Sequence, residues 1–210
     1  MEREFSQYVL LIILWVAWCA LHSGLINLTF TEWLRRIYPG LFRYYRILFN
    51  LFSAATLLPV LLFTFSLRGE PIINWKGPWL CIPMIMAIVS IYFFIAGARR
   101  YDLLQFLGIR QLKEQRDCSV LTDDCSLDTQ GVLSVVRHPW YTGGILIVWA
   151  RPLDLSAILT NLVVSGYFVV GAILEERKLK RQFGEQYVAY QKRVPMFFPI
   201  RRKGADRSGG

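Results

Sequence analysis

Apolar residues in this chain come in long unbroken blocks, neither at the three-to-four spacing of an amphipathic helix nor in strict alternation. Residues 8–28, 45–67 and 79–98 are each close to the length, about 20 residues, that a helix needs to cross a hydrocarbon core. Residues 155–174 make a fourth such block. The first is too long for a cleaved signal peptide and lacks the basic start and small-residue cleavage site, so it reads as a true span. Residues 140–150 form a shorter apolar run. The turn Arg151-Pro152-Leu153-Asp154 joins it to 155–174 so tightly that the two helices must run antiparallel. The pattern predicts an all-α integral membrane protein of about five transmembrane helices, or four if 140–150 is re-entrant, with a C-terminal helical hairpin. Residues 177–194 carry charges in short periods, are interrupted by Gly184, and are stopped by Pro195 and Pro199. This predicts a cytoplasmic amphipathic tail helix resting partly on the membrane surface.

The chain thus divides into 1–98, three N-terminal transmembrane helices with their loops; 99–199, a cytoplasmic loop, the helical hairpin and the tail; and 200–210, a disordered tail. Within the loop, 102–116 has helical composition and 117–130 does not. Lys and Arg set the orientation. Arg35, Arg36, Arg43 and Arg46 follow the first span; Arg99, Arg100, Arg110, Lys113, Arg116 and Arg137 follow the third; the region from Arg177 to Arg207 is densely basic. The 68–78 loop holds only Arg68 and Lys76. Five spans then put the N-terminus outside and the C-terminus in the cytoplasm, as expected for a bacterial inner membrane protein. The net charge of +9 expresses this bias and an attraction to anionic lipid, not nucleic-acid binding.

Several chemistries are excluded. Cys19, Cys81, Cys118 and Cys125 show no metal spacing, and with only His22 and His138 in the chain no metal site is expected. Cys118 and Cys125 share the cytoplasmic loop, where thiols stay reduced. Neither a phosphate-cradling GxxxxGK[ST] nor a dinucleotide GxGxxG is present.

Ionisable residues at the mouth of a membrane hairpin mark a candidate functional site. Arg137-His138-Pro139-Trp140-Tyr141 opens the hairpin, and Pro139 suits the first turn of a helix. Two readings stand for Arg137: a cation beside a helix N-terminus able to hold an anion, or a snorkelling anchor with Trp140 and Tyr141 in an interfacial belt. Gly143 and Gly144, facing Ser165 and Gly166, serve either close helix packing or the approach of a ligand. Glu175-Glu176 at a helix C-terminus opposes the macrodipole. Arg177, Lys178 and Lys180 neutralise the pair, or one Glu faces inward toward Arg137 or a ligand. His22-Ser23, well inside the first span, either bonds a neighbouring helix or lines a substrate pocket.

Taken together, Leu127-x-Thr129-x-Gly131, Arg137-His138-Pro139-x-Tyr141-x-Gly143, Glu175-Glu176-x-x-Leu179, Phe183-Gly184-x-x-Tyr187-x-x-Tyr190 and Val194-Pro195 resemble, in order and spacing, the isoprenylcysteine carboxyl methyltransferase and phospholipid methyltransferase superfamily of integral membrane enzymes. The resemblance covers 127–199, about a third of the chain. It implies S-adenosylmethionine as cofactor, held without a Rossmann fold at the cytosolic end of the hairpin. The cofactor-binding residues it implies are Leu127, Gly131, Arg137, His138, Pro139, Trp140, Tyr141 and Glu175, with Glu176 supporting the same shell. A thiol acceptor must lose its proton, and His138 or Glu176 is the candidate base. Two positions depart from the pattern: Leu133 stands where many members have an aromatic residue, and Gly171 where the prenylcysteine branch has an Arg. Leu21-His22-Ser23, Tyr44-Tyr45-Arg46-Ile47-Leu48-Phe49-Asn50, Leu107-Gly108-Ile109-Arg110-Gln111, Ala150-Arg151-Pro152-Leu153 and Arg193-Val194-Pro195-Met196 are similar to the bacterial methanethiol S-methyltransferase and NnrU-like branches. The implied reaction is methyl transfer to a small or lipophilic acceptor, a thiol first. The alternatives are a prenylcysteine carboxylate, a lipid amine, or a non-catalytic NnrU-like accessory role. The partners implied are that acceptor and the bilayer.

Overall fold

A computed structural model of the chain describes residues 2–100, 107–109 and 127–199. The expected 102–116 helix, Cys118, Cys125 and the 200–210 tail lie outside the described residues, as does most of the 117–130 loop. Among the described residues the protein is all-helical, and four helices are long and apolar enough to cross a membrane. Helix α1 spans Glu2–Leu25, α2 Leu28–Ile37, α3 Pro39–Phe42, α4 Tyr45–Ser66, α5 Cys81–Ala98, α6 Pro139–Trp149 and α7 Leu155–Arg193. Short 3-10 turns at Gly77–Leu80 and Gly131–Ser134 lead into α5 and toward α6.

Only about a fifth of each membrane-length window is buried. Phe5, Leu51, Leu62, Met84, Ile88 and Val170 face outward, which is stable where lipid replaces water as solvent. The helices stand in a row, α5 against α6, α6 against α7, α7 against α1, and α1 against α4, with α4 also touching α7. Polar side chains tie the row together. Trp15 Nε1 donates to Thr64 Oγ1 at 3.0 Å, Ser90 Oγ to the Gly143 carbonyl at 2.8 Å, and Trp149 Nε1 to Ser165 Oγ at 3.0 Å.

Helix α6 has 11 residues, a length of about 16 Å, roughly half of the ~30 Å hydrocarbon core. A full fifth crossing is therefore not supplied by α6 alone. Its far end is nonetheless anchored. The hairpin turn makes an antiparallel bridge to the α4–α5 connection, Leu153 with Ile73, and Trp75 Nε1 donates to the Arg151 carbonyl at 3.0 Å. Asp154 then caps α7, accepting from the Ala157 amide at 2.8 Å.

Three expectations change. The segment after the first span is not a loop: Asn27 caps α2 through the Thr29 amide, and Phe30, Trp33, Leu34 and Ile37 recur at helical spacing. His22 lies in the last turn of α1, not well inside it. The tail expected on the membrane surface joins α7, two helical pieces meeting there across a kink at Gly184, whose φ of 53° suits glycine. Its apolar side, Leu179, Tyr187, Tyr190 and Val194, packs with Leu127 and Phe183, so protein and not lipid covers that face.

Candidate active site

The residues opening the hairpin are held by the chain that follows α7. The amide of Arg137 donates to the Pro195 carbonyl at 3.0 Å and that of His138 to Met196 at 3.1 Å. Thr142 Oγ1 reaches the Phe197 carbonyl at 3.0 Å, and Tyr190 Oη the Leu133 carbonyl at 2.6 Å. Pro139 stands at the start of α6, where its missing N–H leaves nothing unpaired.

Inside this collar sits a buried ion pair. Arg137 Nε lies 2.6 Å from Glu176 Oε1, and Arg137 Nη1 also donates to the Gln191 carbonyl at 3.1 Å and to the Val194 carbonyl. Glu176 Oε1 accepts from His138 Nε2 at 3.2 Å, and its other oxygen from the Gln191 amide. Burial pushes the Glu176 carboxyl upward, but the hydrogen bonds from His138 and Arg137 and the guanidinium charge outweigh it and hold the group below the usual carboxylate range. Of the two glutamates, Glu176 is the inward one that meets Arg137, so Arg137 is not a snorkelling anchor.

Glu175 differs. Its side chain is 32% exposed, and Oε2 lies 3.6 Å from His138 Nδ1. The Tyr141 hydroxyl lies on the same side as this carboxylate. The His138 and Tyr141 rings stack at 5.4 Å with an interplanar angle of 8°, and Tyr141 stacks in turn on Phe168 at 5.5 Å. An open carboxylate, able to accept hydrogen bonds, beside aromatic rings suits a ligand with a cationic group and an aromatic ring. Gly171 stands one turn before Glu175, and a Cβ there would lie 3.8 Å from the Tyr141 hydroxyl.

The other candidates face elsewhere. Trp140 Nε1 donates to the Phe94 carbonyl at 3.2 Å, and its indole covers Gly97 of α5 so closely that a Cβ there would sit 2.5 Å from the ring. Pro139 faces the same glycine, and Leu127 belongs to the tail cluster. Gly131, with φ 59°, makes the turn beside Arg100. Gly143 and Gly144 permit close packing: added Cβ atoms would lie 3.1 Å from the Ser90 carbonyl oxygen and 2.7 Å from the Phe168 ring. Gly166 has nothing within 4 Å and forms no matching patch.

Two residue sets escape a reading of the sequence. Gln191 completes the Glu176 shell, and no feature of its neighbourhood in sequence marks it. Arg100 grips Asp128 with two hydrogen bonds of 2.6–2.7 Å and so tethers the segment leading to Gly131. Burial opposes ionisation of Asp128, but Arg100 and the Gln130 amide hold its carboxyl low. The signal was the carboxylate inside Leu127-x-Thr129, at the end of a loop that begins with Arg99-Arg100. Elsewhere, Asn50 Nδ2 donates to the Leu107 carbonyl at 3.4 Å. Gly108, at φ 86°, packs against Arg46 and Ile47, which brings two of the short N-terminal motifs together.

No family model matches the chain, and no solved structure does. Among curated proteins, the methanethiol S-methyltransferase of a Pseudomonas species is 27% identical over 199 residues, covering 93% of this chain and 74% of that protein. Methanethiol S-methyltransferase 2 of Bradyrhizobium diazoefficiens is 29% identical over 192 residues, 89% of this chain and 72% of its own length. Protein-S-isoprenylcysteine O-methyltransferase B of Arabidopsis thaliana is 39% identical over 80 residues, 35% of this chain and 40% of that protein. Relatives of both kinds are consistent with the isoprenylcysteine carboxyl methyltransferase superfamily.

Proposed function

We propose that this protein is an integral membrane methyltransferase that moves a methyl group from S-adenosylmethionine to the sulfur of a small or lipophilic thiol. The observation that carries the reading is the half-open Glu175 carboxylate against the stacked His138 and Tyr141 rings, in a chain whose relatives over most of its length are named thiol methyltransferases. Bound there, S-adenosylmethionine supplies an electrophilic methyl group on a sulfonium. Glu175 holds the cationic end by charge, and His138 and Tyr141 offer their faces. The clamp of Arg137, Glu176 and Gln191 keeps His138 in place. Packing of α5, α6 and α7 excludes water, and positioning of this kind lowers a barrier by roughly 7–11 kcal/mol. Gly171 beside the Tyr141 hydroxyl leaves no cation at that point to recognise an acceptor carboxylate, which favours a thiol over a prenylcysteine carboxylate. The turn anchored to Ile73 supports a fifth crossing by α6 together with its flanks. The basic loops support an outer N-terminus and a cytoplasmic C-terminus.

Calorimetric titration of S-adenosylmethionine into detergent-solubilised protein, with Glu175→Ala and His138→Ala alongside, tests the reading. Saturable binding is expected in the wild type, weakened about 10- to 100-fold in Glu175→Ala by loss of a charged contact of about 1.5–3 kcal/mol. A folded wild type that binds no donor and methylates no thiol overturns it.

A further inference from the structure

The aromatic stack at the site does not end at Phe168. Its neighbour Tyr167 turns the other way on α7, and the two rings lie 6.2 Å apart. Tyr167 meets His22 of α1 edge-on at 6.2 Å. A continuous wall of rings therefore runs from His138 through Tyr141, Phe168 and Tyr167 to His22. Around His22, at the end of α1, polar groups gather. Its Nδ1 lies 3.2 Å from Ser53 Oγ of α4, and Ser23 Oγ donates to Tyr167 Oη at 3.2 Å. Trp18 stacks on the imidazole at 5.0 Å, and Phe49 closes another side at 4.9 Å.

The chain has two histidines, and the structure gives them opposite situations. Both ring nitrogens of His138 face carboxylate oxygens, Nε2 that of Glu176 and Nδ1 that of Glu175, so neither is open to an incoming thiol. Glu176 has both oxygens engaged. At His22 only Nδ1 has a partner among the described residues. Among these residues the one fully enclosed side-chain polar atom without a partner is Thr160 Oγ1. His22 Nε2 is therefore not fully enclosed by protein.

We propose that the space bounded by His22, Ser53, Tyr167, Trp18 and Phe49 is the acceptor pocket, and that His22 Nε2 is the base that takes the thiol proton. This rests on the thiol methyltransferase reading above. Ser53 orients the ring through Nδ1, and the aromatic walls suit an apolar alkyl group. The S–H proton passes to Nε2 and the sulfur lone pair forms the new S–CH3 bond. The sulfonium C–S bond breaks with its electron pair returning to sulfur. Two neutral thioethers and an imidazolium result, and the imidazolium releases its proton to water.

With two histidines, protein labelled with 15N only at histidine gives a spectrum of two imidazoles, assigned by loss of one signal in His22→Gln. Adding 1-butanethiol without any methyl donor is expected to shift the His22 signal and leave that of His138 in place. In turnover, His22→Gln should lower kcat about 100-fold, within the range of general base catalysis. The loss should be smaller with a more acidic aromatic thiol, which needs less help to ionise, and donor affinity should be unchanged. Ser53→Ala, which leaves the base in place, should lower kcat about tenfold by loss of orientation alone, a rough division of the same range. A thiol that shifts only His138, or a His22→Gln enzyme with wild-type kcat, overturns the proposal while leaving the thiol methyltransferase reading intact. A wild type that binds the donor but methylates no thiol overturns both.

Discussion

The hairpin mouth and the His22 pocket lie on one aromatic wall, yet they handle polar atoms in opposite ways. At the mouth, the buried charges are answered by the protein: Glu176 meets Arg137, His138 and Gln191, and Arg137 also meets two carbonyls, while Glu175 alone stays partly open. In the pocket the groups are neutral, His22 pairs with Ser53 and Tyr167 with Ser23, and one imidazole nitrogen stays open. A buried charge left without a partner costs several kcal/mol, so a charged cluster has to be closed by its own protein. A neutral donor or acceptor in lipid costs less, and can wait for a ligand. The clamp of Arg137, Glu176 and Gln191 is scaffold; the open groups, Glu175 at the mouth and His22 in the pocket, are where ligands can enter.

The largest effect should come from opening the closed cluster. Glu176→Ala leaves Arg137 buried with carbonyls alone and should cost about 3–5 kcal/mol, read as a large fall in the unfolding temperature in detergent. Acid should act in the same direction. The Glu176 carboxyl is held below its ordinary value of 4.5, so its contribution is fully present above that pH and is lost as pH falls through the depressed value. A stable Glu176→Ala variant would remove the distinction between the two regions.

Next in size is the wall that joins them. Gly144→Ala places a Cβ 2.7 Å from the Phe168 ring and should cost about 1–3 kcal/mol by overpacking. Gly166→Ala, with open space around it, should be neutral in the same melting assay. Equal shifts in the two variants would mean that Phe168 is not pressed onto α6. Tyr190→Phe leaves the Leu133 carbonyl without its donor and should cost about 1 kcal/mol, with faster proteolysis near 131–134 as the readout. Smallest is Asp128→Asn. Its pair with Arg100 is partly exposed and contributes under about 1 kcal/mol. Its expected consequence is a modest loss of donor affinity through a looser approach to Gly131, measured by the same calorimetry.

Much of the architecture was written in the order of residues. Lipid leaves no solvent for stray backbone groups, so blocks of apolar residues near spanning length had to be helices, and 45–67 and 79–98 emerged within two residues of α4 and α5. The four-residue turn at 151–154 forced a hairpin. Adjacent glutamates and the Arg-His-Pro run were visible as an anomaly at a membrane boundary. Helix α2 carries Arg35 and Arg36 in its last turn and so reads as a basic loop, although its apolar positions recur at helical spacing.

What local sequence could not decide was direction and partnership. Glu175 and Glu176 are neighbours of one type, and only rotation of about 100° about α7 sends one into the Arg137 clamp and leaves the other open. Trp140 sits between two residues of the site, yet the same geometry turns it onto Gly97 of α5. Arg137 and Glu176 are 39 positions apart, and Ser23 and Tyr167 are 144 apart. Such pairs form only when whole helices pack. Periodicity records which residues meet lipid; packing alone selects which polar atoms meet one another.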